Sequence, residues 1–171
     1  YSGAYMDFGY WKPTAEGNLE YFSIVQDLGF KMVEEEQVWK ISHYKQFIIF
    51  QSLNRLIIYN QITNSINTLK PKNDVVIKSY YVDDDVYIQT NDFSIYKVSS
   101  DKLIKFVTGS QLNNNTVVEI FKRGDELLFL TDKDGFYRKQ SNQIRRWIIK
   151  SNSIFNESLV YSATSIRNDY F

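Results

Sequence analysis

The chain has 171 residues, and its 20 Lys and Arg balance 20 Asp and Glu to give a formal net charge of zero. Proteins that bind nucleic acid or anionic membranes typically carry an excess of basic residues, which this chain does not have. We therefore expect no direct nucleic-acid contact. The chain contains no Cys, which excludes disulfides and thiolate metal ligands. No apolar run reaches the roughly 18 residues that cross a bilayer, so we expect no membrane insertion by this segment.

The composition favours β-strands, because 13 Tyr, 12 Phe and three Trp supply side chains that fit a pleated, half-buried surface. In chain order, the first predicted strands are Tyr1 to Asp7, Gly9 to Lys12 and Leu19 to Phe22. The next set is Val38 to His43, Phe47 to Ser52, Arg55 to Tyr59 and Ser65 to Leu69. A third set is Val75 to Val82, Val86 to Thr90, Ser94 to Val98 and Leu103 to Val107. A fourth is Val117 to Lys122, Glu126 to Thr131, Gly135 to Arg138 and Gln143 to Trp147, followed by Leu159 to Ile166 and the start of another strand at 169–171.

The three complete sets repeat one another in sequence. Four positions recur in each set, namely Trp39, Ile77 and Val118; Phe50, Ile88 and Phe129; Tyr59, Tyr96 and Tyr137; and Leu69, Phe106 and Trp147. The first two sets are 37 or 38 residues apart and the last two are 41 apart at every position. A repeat of about 40 residues with four short strands is typical of a β-propeller blade.

The repeat therefore predicts an all-β fold, a β-propeller fragment with about three whole four-stranded blades and a partial blade at each end. We expect a single segment over residues 1–171, with blades at 38–69, 75–107 and 117–147 and partial blades at 1–22 and 159–171. Because the first residues resemble neither an initiator Met nor a signal peptide, we expect an internal piece of a longer protein that supplies the remaining blades.

Polar runs between the strands are interpreted as turns and loops. Asp83–Asp85 and Asp132–Gly135 are predicted hairpins, and the second lacks the closing Glu of a calcium loop. Glu34–Glu36 is interpreted as a solvated run in a long inter-blade connection that has room for a short helical turn around 25–28. The run at 111–115 is interpreted as an exposed loop.

No enzymatic or cofactor motif stands out. The single His43 has no second His or Cys to complete a metal site, and no nucleophile elbow is present. The chain also lacks phosphate-binding Gly-rich loops. We therefore expect no catalytic residues, no metal and no cofactor in this segment.

Aromatic side chains are the remaining candidates for ligand binding, because flat apolar faces with polar tips suit carbohydrate or peptide recognition. The candidates are Tyr5, Tyr10, Trp11, Tyr80 and Tyr81, with Phe8 beside them. Packing between adjacent blades is the alternative explanation for most of these residues.

Two passages carry a family resemblance. Glu36 to Ile41, with Ile49 to Ser52 and Leu56 to Tyr59, resembles the blades of two-component regulator propellers, the sensor propellers of Bacteroidetes hybrid histidine kinases and helix-turn-helix regulators. Tyr1 to Trp11 is similar to another blade passage of these regulators. In that family the blades precede a triple-tyrosine immunoglobulin-like domain, a transmembrane helix and the output module.

The resemblance implies a periplasmic sensor segment of an inner-membrane regulator of transcription, responsive to oligosaccharides or other small ligands and working with a homodimer partner. Any kinase activity would then lie outside this segment. A structural or protein-interaction propeller with no small-molecule ligand is the alternative. A propeller-fold glycosidase or lyase is the least expected function.

Overall fold

The computed structural model describes residues 1–72, 74–99, 101–150, 152–166 and 169–170. The first seven strands are β1 (Ser2–Gly3), β2 (Phe8–Pro13), β3 (Leu19–Ser23), β4 (Lys40–Tyr44), β5 (Phe47–Gln51), β6 (Leu56–Asn60) and β7 (Ser65–Leu69). The next eight are β8 (Val76–Val82), β9 (Asp85–Thr90), β10 (Ile95–Ser99), β11 (Lys102–Val107), β12 (Val117–Arg123), β13 (Glu126–Thr131), β14 (Gly135–Gln140) and β15 (Gln143–Trp147). The last two are β16 (Ser165–Ile166) and β17 (Asp169–Tyr170).

Helical structure in the described residues is confined to single turns. They are α1 (Ile24–Asp27), a 3-10 turn (Gly109–Leu112) and α2 (Ile154–Glu157). Ser23 caps α1, because its hydroxyl accepts the backbone N–H of Gln26 at 3.1 Å. None of the helices described has the length and apolarity to cross a membrane.

The strands form sheets of consecutive neighbours. β1 to β3 make a three-stranded sheet, and β4–β7, β8–β11 and β12–β15 each make a four-stranded sheet, while β16 and β17 pair alone. The three predicted four-stranded sets are thus present, with a partial sheet near each end. The predicted hairpins are confirmed at Asp83–Asp85, between β8 and β9, and at Asp132–Gly135, between β13 and β14.

A buried hydroxyl recurs at the end of the second strand of each four-stranded sheet. Ser52 Oγ lies 3.3 Å from the carbonyl oxygen of Arg55. Thr90 Oγ1 lies 3.3 Å from the carbonyl oxygen of Ser94, and Thr131 Oγ1 donates to the carbonyl of Gly135 at 2.9 Å. These three hydroxyl residues are fully buried and stand 38 and 41 residues apart, matching the repeat. Each one closes the turn between the second and third strands.

The chain forms two compact units. Unit 1 comprises Tyr1–Ser79 with Ser100–Leu103, and unit 2 comprises Tyr80–Ser99 with Ile104–Phe171. One buried core cluster of unit 1, among the described residues, contains Phe8, Ile24, Ile48, Phe50, Ile57 and Tyr59. One core of unit 2 consists of Tyr80, Val82, Tyr87, Ile95, Val107, Leu112, Val117, Ile120, Phe129 and Tyr137. A second core of unit 2 consists of Val118, Phe121, Leu128, Leu130 and Phe136.

Two predictions about unit 2 are wrong. The run at 111–115 is not wholly exposed, because Leu112 is buried in the core and the Asn115 amide is buried against the carbonyl of Leu112. The predicted strand over Leu159–Ile166 is present only at its last two residues. Val160 and Ala163 pack on the second core of unit 2, so their apolar side chains are partly buried without strand pairing. The predicted residue Phe171 lies outside the described residues.

Candidate functional site

A buried ion pair ties the long β3–β4 connection of unit 1 to the β5–β6 turn. Arg55 donates from Nε to Glu36 Oε1 at 3.0 Å and from Nη2 to Oε2 at 2.6 Å. Ser52 Oγ donates to Oε1 at 2.6 Å, and the backbone N–H of Val33 donates to Oε2 at 3.0 Å. Each carboxylate oxygen therefore accepts two hydrogen bonds, which is what a buried charge requires. We call Glu36, Ser52 and Arg55 the Glu36 clip.

The Glu36 clip corrects the expectation that Glu34–Glu36 is a solvated run. The Glu36 side chain has no exposed area, whereas Glu34 and Glu35 are exposed as predicted. Burial by itself would raise the pKa of Glu36, but the hydrogen bonds from Arg55, Ser52 and the Val33 N–H outweigh it and lower that pKa below its ordinary value. Glu36 therefore stays ionised at neutral pH.

Arg55 also fixes the connection upstream of Glu36. Its Nη2 donates to the carbonyl of Lys31 at 3.0 Å, and its guanidinium carbon lies 4.9 Å from the centroid of the Phe30 ring. One side chain on the β5–β6 turn thus anchors the connection at two points. The connection is held as a defined structure although it contains no strand between β3 and residue 37.

An exposed surface follows directly after the clip. Tyr5 and Gln37 form an isolated antiparallel bridge, with Met6 N–H donating to the Glu36 carbonyl at 2.8 Å and Val38 N–H to the Ala4 carbonyl at 3.2 Å. In this pattern the two opposed residues are a non-hydrogen-bonded pair whose side chains lie close on one face. The Tyr5 side chain is 60% exposed and Gln37 is exposed beside it.

Trp39 continues this surface. Its backbone N–H donates to the Gln51 carbonyl at 2.8 Å, immediately before β4, and its side chain is 61% exposed. Exposure alternates along this stretch, since Val38 packs toward the unit 1 core while Gln37 and Trp39 are exposed. Residues two apart in an extended chain share a face. We call Tyr5, Gln37 and Trp39 the Tyr5–Trp39 surface.

Two other predicted aromatic residues of unit 1 lie on opposite faces of β2. Tyr10 stacks on Phe22 with ring centroids 5.5 Å apart and an interplanar angle of 13°, so it is part of the packing of unit 1. Trp11 is 51% exposed and lies against Tyr21, with ring centroids 5.1 Å apart. The Tyr21 hydroxyl donates to Asp7 Oδ2 at 3.1 Å. Burial and this neighbouring carboxylate raise the pKa of Tyr21 to about 12.

The predicted residues of unit 2 differ in accessibility. Tyr80 is buried in the core, where its hydroxyl donates to the Val117 carbonyl at 2.6 Å and lies 3.3 Å from Gln89 Oε1. Tyr81 is half-buried and faces a cleft of about 230 Å³. The cleft is lined by Tyr81, Val82, Asp83, Ile120, Phe121, Lys122 and Ser165. Ligand binding by any of the five predicted aromatic residues stays a prediction.

The candidate catalytic groups are engaged structurally or stand alone. His43 is the exposed residue of β4, and its Nε2 lies 3.3 Å from the Gln61 amide nitrogen. Asp134 Oδ2 accepts from Asn113 Nδ2 at 2.8 Å, Asn115 Nδ2 at 2.7 Å and the Tyr137 hydroxyl at 3.0 Å, so this carboxylate joins a hairpin to the preceding connection. Over the residues that the structure describes, no three His, Asp or Glu side chains cluster as metal ligands would.

Sequence reasoning identified Tyr5 but missed Gln37 and the ion pair beneath it. A signal for the surface was present, because Gln37 and Trp39 flank Val38 at the alternating spacing of a strand that is exposed on one face. The partner of Glu36 gave no local signal, since Arg55 lies 19 residues away.

No family model matches the chain. No curated protein matches it either. Solved structures share its fold at low sequence identity, and two of them are structures of the extracellular domain of one B. thetaiotaomicron protein, BT4673. The first, described as part of a putative hybrid two-component system, is 16% identical with a TM-score of 0.62 and covers 93% of this chain and 22% of the other. The second, described as part of a putative one-component system, is 16% identical with a TM-score of 0.61 and covers 93% of this chain and 23% of the other.

Two further structures come from other biological settings. BamB from Moraxella catarrhalis is 12% identical, with a TM-score of 0.58 over 79% of this chain and 41% of its own. A chain of the mitotic checkpoint complex is 11% identical with a TM-score of 0.61, and the match covers 95% of this chain and 50% of the other. This chain thus spans between about a fifth and a half of the length of each of these matched chains.

The sheets and these likenesses together establish the fold class as all-β, a β-propeller fragment with three whole four-stranded blades and partial blades at both ends. The resemblance to two-component regulator propellers, first seen in sequence passages, is present in the fold as well. A shared fold does not fix function, because propellers carry many unrelated activities.

Proposed function

We propose that this chain is part of the extracytoplasmic, ligand-sensing β-propeller of a membrane-anchored regulator of signal transduction or transcription, and that its ligands are oligosaccharides. The observation that carries the proposal is the likeness to the extracellular domain of a hybrid two-component system over 93% of the chain. The sequence passages that resemble the same regulators support it. The periplasm is the compartment that this proposal implies.

Such a segment would act by shifting a population. A ligand that binds one arrangement of paired sensor domains more tightly than another shifts the equilibrium between the two arrangements. The size of the shift is set by the difference in affinity alone, because binding energy common to both arrangements cancels. In this proposal the remaining blades complete the propeller, and a second copy of the protein provides the pairing that transmits the shift. No kinase or DNA-binding chemistry is assigned to the segment itself.

The complete reading frame that encodes this chain tests the proposal. We expect it to encode further blades, a transmembrane helix after them and a histidine kinase or helix-turn-helix module on the other side. A reading frame that ends in a propeller with neither a membrane-spanning segment nor an output module would contradict the proposal.

The second candidate function is a propeller that binds another protein. A specific observation favours it, because a chain within a multiprotein complex matches this fold with a TM-score of 0.61, equal to that of one sensor domain. A glycosidase or lyase has the least support, since Glu36 and Asp134 are held by structural hydrogen bonds. Turnover of a polysaccharide that a single carboxylate substitution abolishes would favour the enzyme.

A further inference from the structure

We propose that the Tyr5–Trp39 surface binds a neutral oligosaccharide, with sugar rings lying against the two aromatic rings and sugar hydroxyls bonded to the Gln37 amide. This inference rests on the proposed function and assigns its ligand to three residues. Two of them, Gln37 and Trp39, were not among the aromatic candidates identified from the sequence.

Two large aromatic side chains of this surface are exposed on a fixed backbone. Tyr5 and Trp39 are 60% and 61% exposed, and neither makes a ring contact or a side-chain hydrogen bond with any residue that the structure describes. The other exposed Trp, Trp11, differs because it packs on Tyr21. Exposed aromatic faces on a rigid scaffold are typical of binding surfaces, because a ligand then buries apolar area that folding has left in water.

The surface also carries hydrogen-bonding groups beside the two aromatic rings. The Gln37 amide offers a carbonyl acceptor and two N–H donors, the Trp39 indole offers an N–H donor, and the Tyr5 phenol offers a hydroxyl. A sugar presents both apolar C–H faces and hydroxyls that donate and accept, so it matches this alternation. The surface is open rather than a closed pocket, which suits an extended chain of sugar rings better than a compact apolar ligand.

The charges beside the surface determine which class of saccharide it favours. Glu34 and Glu35 are exposed just before Gln37, and neither carboxylate forms an ion pair or hydrogen bond within the part of the chain described. Lys31 is the one exposed cation in the same stretch. Since like charges repel across a binding surface, uronate or sulfated saccharides are disfavoured and neutral ones are preferred.

The backbone of this surface is preorganised by the Glu36 clip. Glu36 lies between the exposed acids and Gln37, and the clip fixes it through four hydrogen bonds. Its carbonyl also accepts the Met6 N–H next to Tyr5. Binding to a surface whose backbone is already fixed loses less conformational entropy, so ligand contacts contribute more fully to affinity. Glu36 and Arg55 are positioning residues for this surface.

The test is a titration of the protein with soluble neutral hexasaccharides of glucose, mannose and xylose, together with a polygalacturonate oligomer, followed by tryptophan fluorescence and calorimetry. We expect at least one neutral hexasaccharide to bind and the anionic oligomer to bind more weakly. Trp39→Ala and Tyr5→Ala should each weaken binding about tenfold or more, the scale of an aromatic hot spot. Trp39→Phe should retain part of the affinity because it keeps an aromatic face.

Tyr161→Ala is the matched control, because Tyr161 is 83% exposed and is not part of the surface. This control should bind like the unmodified protein. Thermal unfolding of every variant verifies that it folds, which is expected since Tyr5 and Trp39 are mostly exposed. Saccharide binding that Trp39→Ala and Tyr5→Ala leave unchanged would overturn this inference and leave the proposed function standing. Absence of binding to every saccharide would overturn the inference, while the reading frame would still decide the sensor proposal.

Discussion

Glu36 and Arg55 form a bidentate ion pair across 19 residues of sequence, with the Arg55 Nη2 atom 2.6 Å from Glu36 Oε2. The Glu36 side chain is fully buried and Arg55 is 14% exposed. The pair joins the long connection before β4 to the turn after β5, and the Tyr5–Trp39 surface lies directly beside it. Rigidity at this point in unit 1 thus comes from a charge pair rather than from regular secondary structure.

Removal of Arg55 tests this role. Arg55→Met should lower the free energy of unfolding by about 3–5 kcal/mol, because it leaves a buried carboxylate without its countercharge. The measurement is urea unfolding followed by tryptophan fluorescence. Arg138→Met is the matched control, since the Arg138–Glu126 pair is 4.0 Å apart with Arg138 47% exposed and should contribute about 0–1 kcal/mol. Equal midpoints for the two variants would contradict the assigned role of the clip.

The clip also predicts a pH dependence. Burial alone would raise the pKa of Glu36, yet the Arg55, Ser52 and Val33 hydrogen bonds lower it below the ordinary 4.5 in the folded state. The folded state then binds this proton less tightly than the unfolded state, so the stabilisation is complete above about pH 4.5 and is lost as the pH falls through the lower folded-state pKa. Urea midpoints measured from pH 7 downward should therefore fall in this window.

Glu36→Gln should flatten that part of the curve, because the substituted amide does not titrate. Asp92 and Asp134 add a further decline from about pH 3.8 downward, since hydrogen bonds lower the pKa of each carboxyl below 3.8. A wild-type stability that does not change from pH 7 to pH 3 would show that these carboxylates contribute no linked stability.

Gln89 is the corresponding polar link in unit 2. Its Oε1 accepts the Val117 N–H at 2.8 Å, and its Nε2 donates to the carbonyls of Phe93 at 3.2 Å and Asn115 at 3.1 Å. Gln89→Leu keeps a similar volume but leaves these backbone groups without partners, so we expect a loss of about 1–3 kcal/mol. Gln140→Leu, at an exposed position on β14, should change stability by less than about 0.5 kcal/mol. The two variants are compared by urea unfolding, and a neutral Gln89→Leu would refute the link.

The recurring hydroxyls predict a smaller effect. Thr131 Oγ1 donates to the Gly135 carbonyl at 2.9 Å and accepts the Asp134 N–H at 3.1 Å within the β13–β14 turn. Thr131→Val should cost about 1–3 kcal/mol by leaving both groups unsatisfied, as measured by urea unfolding. Thr68→Val on β7 is the control, because its hydroxyl bonds to no described residue. If both substitutions shifted the midpoint equally, the hydroxyl would have no special part in closing the turn.

The sequence predicted the sheets well because the repeat is carried by local features. Apolar runs at Phe50, Ile88 and Phe129 define the second strands, and Asp and Asn mark the turns between strands, so spacing alone locates each hairpin. The hydroxyls of Ser52, Thr90 and Thr131 follow the same repeat. They were overlooked because small polar residues near turns usually indicate exposure.

The candidate site was predicted only in part, because its contacts are not local. The Glu36 run has the composition of a solvated loop, and the burial of its last member depends on Arg55 in another hairpin. Tyr80 and Tyr5 look alike in sequence, yet one is buried in a core and the other is exposed. The spacing of apolar residues in the sequence does not distinguish a buried from an exposed tyrosine here, because burial depends on which strands pack against each residue.

The thermal unfolding temperature of the protein across a saccharide library shows whether this chain belongs to a sensor propeller that responds to oligosaccharides. A ligand at concentration L that binds only the folded state stabilises it by RT ln(1 + L/Kd) and so raises this temperature as L increases above Kd. We expect a concentration-dependent rise with at least one neutral oligosaccharide. No rise with any saccharide, together with a stable protein partner that raises the temperature instead, would contradict it and favour an interaction propeller.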